Sequence, residues 1–139
     1  MKKIFLDTNF IIDLLARDGE LQVNALKVLE NGAKKSLRFY VSFLTLANFA
    51  YITRKDSKER LFDNLKTCCR LFKIIANNQT QLLKAIDLNP TDFEDAIQYE
   101  TAQTEKCDCI ITRDPKGFEI SSIPVLSPSE FLENIENIE

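Results

Sequence analysis

The chain has 139 residues, of which 45% are hydrophobic and 28% charged, and its formal net charge is −3 at pH 7. This composition is that of an ordinary globular protein, and the length suits one domain, which we predict to span residues 1–139. A sequence pI of about 5.1 argues against a protein that holds nucleic acid by broad phosphate neutralisation, so any basic contacts must be local.

Short apolar segments alternate along the chain with segments of helical periodicity. In chain order, the first half predicts a strand at 4–6, helices at 10–15 and 21–32, a strand at 37–41, and helices at 44–54 and 58–71. The second half predicts a strand at 72–76, helices at 80–88 and 92–106, strands at 109–112 and 123–126, and a final helix from Ser127. Short strands separated by helices predict a mainly parallel sheet that is covered on both faces.

Residues with capping side chains mark the predicted starts of three helices. Ser42 is placed to cap the helix after the second strand, and Ser127 precedes a proline that opens the last helix. The segment Thr91-Asp92-Phe93-Glu94 fits a capping box, in which Thr91 is the N-cap and the Glu94 side chain bonds back to it.

Acidic side chains fall where predicted strands end. Asp7 comes directly after the first strand, and Asp114 comes two residues after the fourth. Asp92 and Asp95 lie in the first turn of the helix before that strand, and their i, i+3 spacing puts them on one face. Because ligands of parallel sheets bind beyond the C-terminal ends of the strands, we expect these carboxylates to meet at one edge.

A group of carboxylates is tolerated only if one keeps a proton or a divalent cation joins them. Two such charges ~4 Å apart repel by roughly 4 kcal/mol at an effective dielectric of about 20. Oxygen ligands, in a chain without histidine, favour Mg²⁺ or Mn²⁺. Such an ion polarises phosphoryl oxygens, so the pattern predicts hydrolysis of a phosphodiester.

Each acid also has a structural interpretation. Asp7 can simply end a strand, and Asp114, which precedes a proline, can be a turn residue. For Asp92 the favourable interaction with the helix dipole is the stronger interpretation. Asp95 precedes the buried side of its helix, which favours a position at the edge of the sheet. Only the joint placement of the four acids supports the functional interpretation.

Four segments resemble the motifs of PIN-domain proteins, in the same order and over the whole chain. They are Leu6-Asp7-Thr8-Asn9 with the helix after it, Asp92-Phe93-Glu94-Asp95-Ala96, residues 109–114 with Phe118, and the closing residues 123–132. The resemblance implies a three-layer α/β/α fold with a roughly five-stranded sheet, and a Mg²⁺- or Mn²⁺-dependent ribonuclease acting on single-stranded RNA. Many bacterial members are VapC-like toxins that pair with an antitoxin protein and often form homodimers, so the same partners are expected here.

The resemblance also assigns roles to individual residues. The catalytic and metal-binding acids would be Asp7, Asp95 and Asp114. The supporting polar residues would be Asn9, Asn48 and Thr112, with Asp92 as an additional acid nearby.

Two positions depart from the family pattern. Asn48 stands where the family usually carries a glutamate, and an amide can offer a metal an oxygen but no negative charge. A lower metal affinity is therefore expected, and a second metal becomes doubtful. Gly117 stands where many relatives have an aspartate, and Asp114 is expected to take over its function.

Three other interpretations compete with a nuclease. Asn48 favours a PIN-fold protein that binds RNA or a protein partner without cutting. A haloacid-dehalogenase-like phosphatase also begins with a strand followed by Asp, but it needs a second Asp where this chain has Asn9. A response-regulator receiver needs an acidic pair near the N-terminus and a later phosphoacceptor strand, and neither is evident.

Arg113 and Lys116 flank Asp114, so they are predicted to contact RNA beside the scissile phosphate. The basic residues within 34–38 and 54–60 are predicted to lie on a solvated surface. Aromatic residues concentrate in residues 39–51, and an exposed subset of them would form a surface for a second copy or for an antitoxin.

The four cysteines form two close pairs, at 68–69 and at 107 and 109, and neither pair has the spacing of a zinc knuckle. We predict buried reduced thiols, with a four-thiolate site as the alternative. No stretch approaches the roughly 18 apolar residues of a membrane span. The N-terminus lacks the pattern of a signal peptide, so we predict a cytoplasmic protein.

Overall fold

A computed structural model describes residues 2–135. The strands are β1 (Lys3–Leu6), β2 (Arg38–Ser42), β3 (Lys73–Ile75), β4 (Cys109–Ile111) and β5 (Val125–Leu126). The helices are α1 (Thr8–Leu15), α2 (Glu20–Lys34), α3 (Phe43–Ile52), α4 (Lys58–Leu71), α5 (Gln79–Asp87), α6 (Phe93–Thr104) and α7 (Pro128–Asn134). Within these described residues, none of the helices is long and apolar enough to cross a membrane. The cytoplasmic location stays a prediction.

The five strands form one parallel sheet in the order β3-β2-β1-β4-β5. Ile4 and Leu6 of β1 face a core that they share with α1, α2, α3 and α7. Phe5, between them, faces the opposite core, with Tyr99 of α6 and Phe118. This alternation follows from the pleat of the strand. The sheet therefore lies between two helical layers, and the predicted three-layer α/β/α fold is confirmed.

The predicted strands and helices are confirmed, with ends that shift by no more than about two residues. Ser42 caps α3, and its Oγ accepts from the backbone N of Thr45 at 3.1 Å. Ser127 caps α7 and forms a full capping box with Glu130. The patterns did not predict the 3-10 turn at Pro115–Phe118, which follows β4.

The predicted capping box at the start of α6 is wrong. The N-cap is Asp92, whose Oδ1 accepts from the backbone N of Asp95 at 3.0 Å. The Glu94 side chain instead accepts a hydrogen bond from Thr8 in another part of the fold. Thr91 and Asp92 are both good N-cap residue types, and the carboxylate of Asp92 has the stronger interaction with the helix dipole. The predicted N-cap of α6 is therefore one residue too early in the chain.

The prediction of buried reduced thiols is correct for three of the four cysteines. All four are free, and Cys69 alone among them is exposed. Neighbouring residues of a helix point about 100° apart, so α4 can turn only Cys68 towards the core. Burial raises the pKa of Cys68 to about 11, so this thiol stays protonated and unreactive at neutral pH.

Candidate active site

The candidate site lies beyond the C-terminal ends of β1, β2 and β4. Asp7 directly continues β1, and its backbone N donates to the carbonyl oxygen of Ile111 at 3.1 Å. Thr112 follows β4 in the same way and bonds to Leu126. Because the strands are parallel, these residues and Ser42 at the end of β2 come to the same edge of the sheet.

Asp7 is a buried carboxylate, 5% exposed, that three donors hold in place. Its Oδ1 accepts from the backbone N of Thr8 at 2.8 Å and from Nε2 of Gln98 at 3.4 Å, and its Oδ2 accepts from Oγ1 of Thr112 at 2.9 Å. Burial is the largest influence on the Asp7 pKa and raises it, whereas these hydrogen bonds lower it. The net effect is a raised pKa, so the carboxylate lacks sufficient compensation for its burial.

Asn9 and Thr112 join the loop after β4 to the start of α1. Nδ2 of Asn9 donates to Oγ1 of Thr112 at 2.9 Å, and its Oδ1 accepts from the backbone N of Arg113 at 3.2 Å. The backbone N of Asp114 donates to the same threonine oxygen at 3.1 Å. Thr112 therefore links Asp7, Asn9 and Asp114, and its hydroxyl hydrogen is directed to Asp7.

Gln98 of α6 connects this edge of the sheet to α3, and none of the sequence motifs pointed to it. Its side chain is fully buried; Oε1 accepts from Oγ of Ser42 at 2.6 Å, and Nε2 donates to Oγ1 of Thr45 at 2.6 Å. Nε2 also lies 3.2 Å from Oγ1 of Thr8. A signal was present, since Asp95 and Gln98 have i, i+3 spacing on the buried side of the helix.

Asp95 lies at the third position of α6 and is partly buried. Burial, followed by the negative charges of Asp7, Asp92, Glu94 and Asp114, raises its pKa to about 7. The Asp95 carboxyl therefore tends to keep a proton near neutral pH unless a cation takes its place. The joint effect of the neighbouring acids is consistent with the predicted meeting of carboxylates at this edge.

Gly117 lies against Asp95. A Cβ atom at position 117 would lie 1.8 Å from Oδ2 of Asp95, closer than any side chain allows. The family's usual aspartate at this position would therefore force the Asp95 carboxylate to move. The Asp95 carboxylate keeps its observed position because residue 117 has no side chain.

A depression of about 210 Å³ opens the site to solvent. Its lining includes Asp92, Asp95, Asp114 and Lys116. Asp114 and Lys116 are exposed, and Asp92 is occupied at the N-cap of α6. The structure thus brings one predicted RNA-contacting residue, Lys116, into the same depression as two of the predicted metal-binding acids.

Arg113, the other predicted RNA-contacting residue, is paired with Asp13, an acid outside the sequence motifs. Its Nε donates to Oδ2 of Asp13 at 2.5 Å, and Nε of Arg17 lies 3.3 Å from the other oxygen. Asp13 is 1% exposed and lies on α1. Its burial makes this pair an internal link between α1 and the loop after β4, so the charge of Arg113 is largely neutralised.

Asn48 forms no link to the acids. Its Nδ2 atom is buried and has no hydrogen-bond partner among residues 2–135. Thr45, one turn earlier on α3, does join the network of Gln98 and Thr8. The helix that would carry the family's glutamate therefore reaches the site through the hydroxyl group of Thr45.

The donors at this edge suit a hard divalent cation in chemistry and in charge. In the described part of the chain, Asp13 is the only acid with an ion pair, so no Lys or Arg pairs with Asp7, Asp95 or Asp114. No three Cys, Asp or Glu side chains of residues 2–135 converge as a ready set of ligands. A cation would therefore have to draw the carboxylates of Asp7, Asp95 and Asp114 together.

A parallel sheet with helices on both faces, and with carboxylates beyond the ends of its central strands, defines an α/β protein whose site lies at the strand ends. The chain belongs to the PIN domain family, because the model of that family matches residues 3–116.

Comparisons with individual proteins agree with this family. The chain is 28% identical over 140 residues to Ribonuclease VapC1 of Aquifex aeolicus (strain VF5), covering 95% of this chain and 94% of that relative. It resembles the structure of VapBC2 from Rickettsia felis bound to a DNA fragment from their promoter (TM-score 0.67, 19% identity, 90% of this chain and 97% of that one). It also resembles Mycobacterium tuberculosis VapC20, described as a Sarcin-Ricin loop cleaving toxin (TM-score 0.67, 13% identity, 84% of this chain and 94% of that one). At these identities the two structures show a shared fold.

Proposed function

We propose that this chain is a metal-dependent endoribonuclease that cuts single-stranded RNA. The observation that carries the proposal is Asp7, a buried carboxylate with oriented hydrogen bonds, next to a second acid, Asp95, whose pKa is about 7. Two such acids without a basic partner are costly for a fold, and a bound cation would remove that cost. The similarity to a relative named as a ribonuclease supports the same activity.

Asp7, Asp95 and Asp114 would hold Mg²⁺ or Mn²⁺ in this proposal. The cation, when bound, would polarise a phosphoryl oxygen of the RNA and stabilise the leaving oxygen. Thr112 and Gln98 hold the Asp7 carboxylate in one orientation through the hydrogen bonds described above. The ammonium group of Lys116, on the lining of the same depression, would attract the RNA backbone.

Removing the metal should abolish cleavage. We expect a labelled single-stranded RNA to be cut with Mn²⁺ or Mg²⁺ and to stay intact with EDTA. Cleavage should also be faster at pH 8 than at pH 6, because Asp95 with a pKa of about 7 must lose its proton to bind a cation. Cleavage that persists at an equal rate in EDTA would refute the metal dependence.

A PIN-fold protein that binds RNA or a protein without cutting is the alternative. Asn48 favours it, since α3 carries an amide at the position where the family usually carries a glutamate. The same assay separates the two functions. Retention of RNA on the protein without metal-dependent cutting, across several single-stranded substrates, would favour the binding function over the nuclease.

We further propose that the chain is the toxin of a toxin-antitoxin pair and that it forms a homodimer. The solved structures it resembles include VapBC toxin-antitoxin proteins, which supports an antitoxin as partner.

Exposed apolar side chains on α3, α5 and α6 support the homodimer: Phe43, Leu82, Leu83, Ile86 and Phe93. Two of them, Leu82 and Phe93, line a groove of about 510 Å³ together with Leu44 and Ile97.

The homodimer has a direct test. Light scattering should give twice the 16.0 kDa mass of one chain, and Phe43→Asp should reduce it to that of a monomer. Phe43 is 62% exposed in the single chain, so its replacement should leave the fold intact. A monomeric wild-type protein at micromolar concentration would contradict the proposal.

A further inference from the structure

A second depression, of about 250 Å³, borders the loop after β4 at Arg113, the residue before Asp114. Its lining also includes side chains from α1, α2 and the start of α7: Asp13, Leu21, Asn24, Pro128 and Ser129. The depression described above is lined by Asp114 and Lys116 of the same loop. Because Arg113 and Asp114 are consecutive, a polynucleotide that reaches Asp114 also passes close to the second depression.

Asp13 has one oxygen that the fold leaves without a hydrogen bond. Its Oδ2 accepts from Nε of Arg113, whereas its Oδ1 is buried and has no hydrogen-bond partner among residues 2–135. Nε of Arg17 lies 3.3 Å from Oδ1, but this contact is an ion pair in which the N–H group is not directed at the oxygen. A buried acceptor without a donor is costly. Since Asp13 is 1% exposed and lines the depression, a ligand in that depression is the source from which the missing donors can come.

The charges around the depression suit an anionic ligand better than a basic one. Among the residues that the structure describes, Asp13 and Arg113 are the charged members of the lining, and Arg17 adds a second positive charge beside Asp13. Two guanidinium groups outweigh one carboxylate, which permits the approach of a phosphate backbone and disfavours a basic protein side chain. The ligand therefore needs N–H donors without a positive charge, and the bases of an RNA meet both conditions.

The size and the walls of the depression suit a single base. Its volume of about 250 Å³ is below the range of about 300–1,000 Å³ that is usual for drug-sized ligands. Leu21 and Pro128 supply apolar surface for the face of a base, and Asn24 and Ser129 supply polar groups. Sequence-specific recognition of single-stranded RNA takes this form, with an unstacked base held by hydrogen bonds to its Watson–Crick edge.

Guanine is the base that matches the free oxygen of Asp13. Its Watson–Crick edge has two adjacent donors, N1–H and N2–H, and the unbonded Oδ1 has two lone pairs to receive them. The O6 acceptor beside these donors suits the terminal N–H groups of Arg113. Adenine offers one amino group beside an acceptor nitrogen, and uracil offers one N–H group between two carbonyl oxygens. Oδ1 would repel these acceptors.

We propose that Asp13 and Arg113 form a pocket that binds a guanine base of the RNA, close to the nucleotide that is cut. This inference rests on the proposed ribonuclease function and names a sequence preference of its substrate. Arg113 would keep its Nε bond to Asp13 and contact the base with its terminal N–H groups, so the buried ion pair stays intact when RNA binds.

The test compares two labelled oligouridines that differ only in one central base, guanine or adenine. Their affinity for the purified chain is measured by fluorescence anisotropy in EDTA, and kcat/KM of cleavage is measured with Mn²⁺. The guanine RNA should bind and be cut about 5-fold or more better. An RNA with inosine, which lacks the N2 amino group, should fall between the two.

Asp13→Asn should remove this preference and keep the affinity for the adenine RNA. An asparagine whose oxygen stays on Arg113 turns an NH₂ donor towards the pocket, where it would face the donors of guanine. A merely structural function of Asp13 would change the binding of both RNAs equally, so a guanine preference that persists in this folded variant would contradict the inference.

Ser129→Phe tests the pocket without a change to the buried ion pair. Ser129 is exposed and lines the depression, so phenylalanine should fill it, leave the fold intact and remove the guanine preference. Thr80→Phe is the matched control, because Thr80 is also an exposed hydroxyl residue at the second position of a helix, and it should keep the preference. If the wild type binds and cuts both RNAs equally well, the inference alone is refuted. If it neither binds nor cuts either RNA, the proposed function and the inference fail together.

Discussion

Asp7→Asn should lower metal-dependent RNA cleavage by at least about 100-fold, since even the loss of a residue that only supports a metal ligand costs about 10–100-fold. Asp7 is buried at the end of β1, and its two oxygens are oriented by Thr8, Gln98 and Thr112. An amide keeps the shape of this side chain but cannot present a negative charge to a cation. The measurement is the initial rate with Mn²⁺, with circular dichroism to show that the variant folds.

Asp108→Asn is the control for this substitution. Asp108 is also a hydrogen-bonded aspartate, and its Oδ2 accepts from the backbone N atoms of Lys2 and Lys3 at 2.8 and 2.9 Å. It precedes β4 and therefore lies at the opposite edge of the sheet, so the variant should cut RNA at the wild-type rate. Cleavage by Asp7→Asn within a few-fold of wild type would exclude Asp7 from the catalytic group.

The same pair of variants tests the proposed toxin function in cells. Expression of the wild-type chain and of Asp108→Asn should arrest bacterial growth, whereas expression of Asp7→Asn should not. Arrest by Asp7→Asn at an equal protein level would separate toxicity from the nuclease site.

Gln98→Leu should have the largest effect on stability, lowering the free energy of unfolding by about 3 kcal/mol or more. Leucine has a similar size but makes no hydrogen bonds, so Ser42, Thr45 and Asp7 would each lose a partner in the interior. Each buried polar group left without a partner costs about 1–3 kcal/mol. Urea unfolding followed by circular dichroism measures this difference.

Gln103→Leu is the matched control, because Gln103 is an exposed glutamine on the same helix. Its replacement should change the free energy of unfolding by less than about 0.5 kcal/mol. Equal stability of Gln98→Leu and Gln103→Leu would show that the buried hydrogen bonds contribute little, and that the α6 contact with the sheet is held by apolar packing alone.

Local patterns predicted the parts of the site that depend on neighbouring residues. An apolar run followed by Asp7 predicts a strand with a carboxylate at its end, and the structure agrees at β1. The same holds for Thr112 and Asp114 after β4. In each case the strand and the polar residue are adjacent, so no knowledge of the tertiary fold is needed to place one relative to the other.

The start of α6 shows where a local pattern becomes ambiguous. Thr91 and Asp92 can both cap a helix, and the sequence pattern favoured Thr91 because Glu94 follows at the right distance. In the structure Asp92 is the N-cap of α6, and the Glu94 side chain accepts a hydrogen bond from Thr8. The choice depends on a residue 86 positions away in the chain, which a pattern of four residues cannot contain.

Arg113 shows a second kind of error. Its position beside Asp114 predicted a contact with RNA, but its guanidinium is bound to Asp13 on α1. Asp13 lies 100 residues earlier, and its direction depends on how α1 packs against the sheet. The predicted RNA contact of Arg113 stays a prediction, now with the condition that a bound phosphate must compete with Asp13.

The sequence by itself determined the alternation of strands and helices, the parallel sheet and the positions of acids at strand ends, because these follow from periodicity and from adjacent residues. The tertiary structure alone decided which donors reach Asp7, that Gln98 joins α6 to α3, and that Asp95 lies against Gly117. These contacts depend on the register of the strands and on the rotation of each helix about its axis. A shift of a few ångströms in either would break them while leaving every local pattern unchanged.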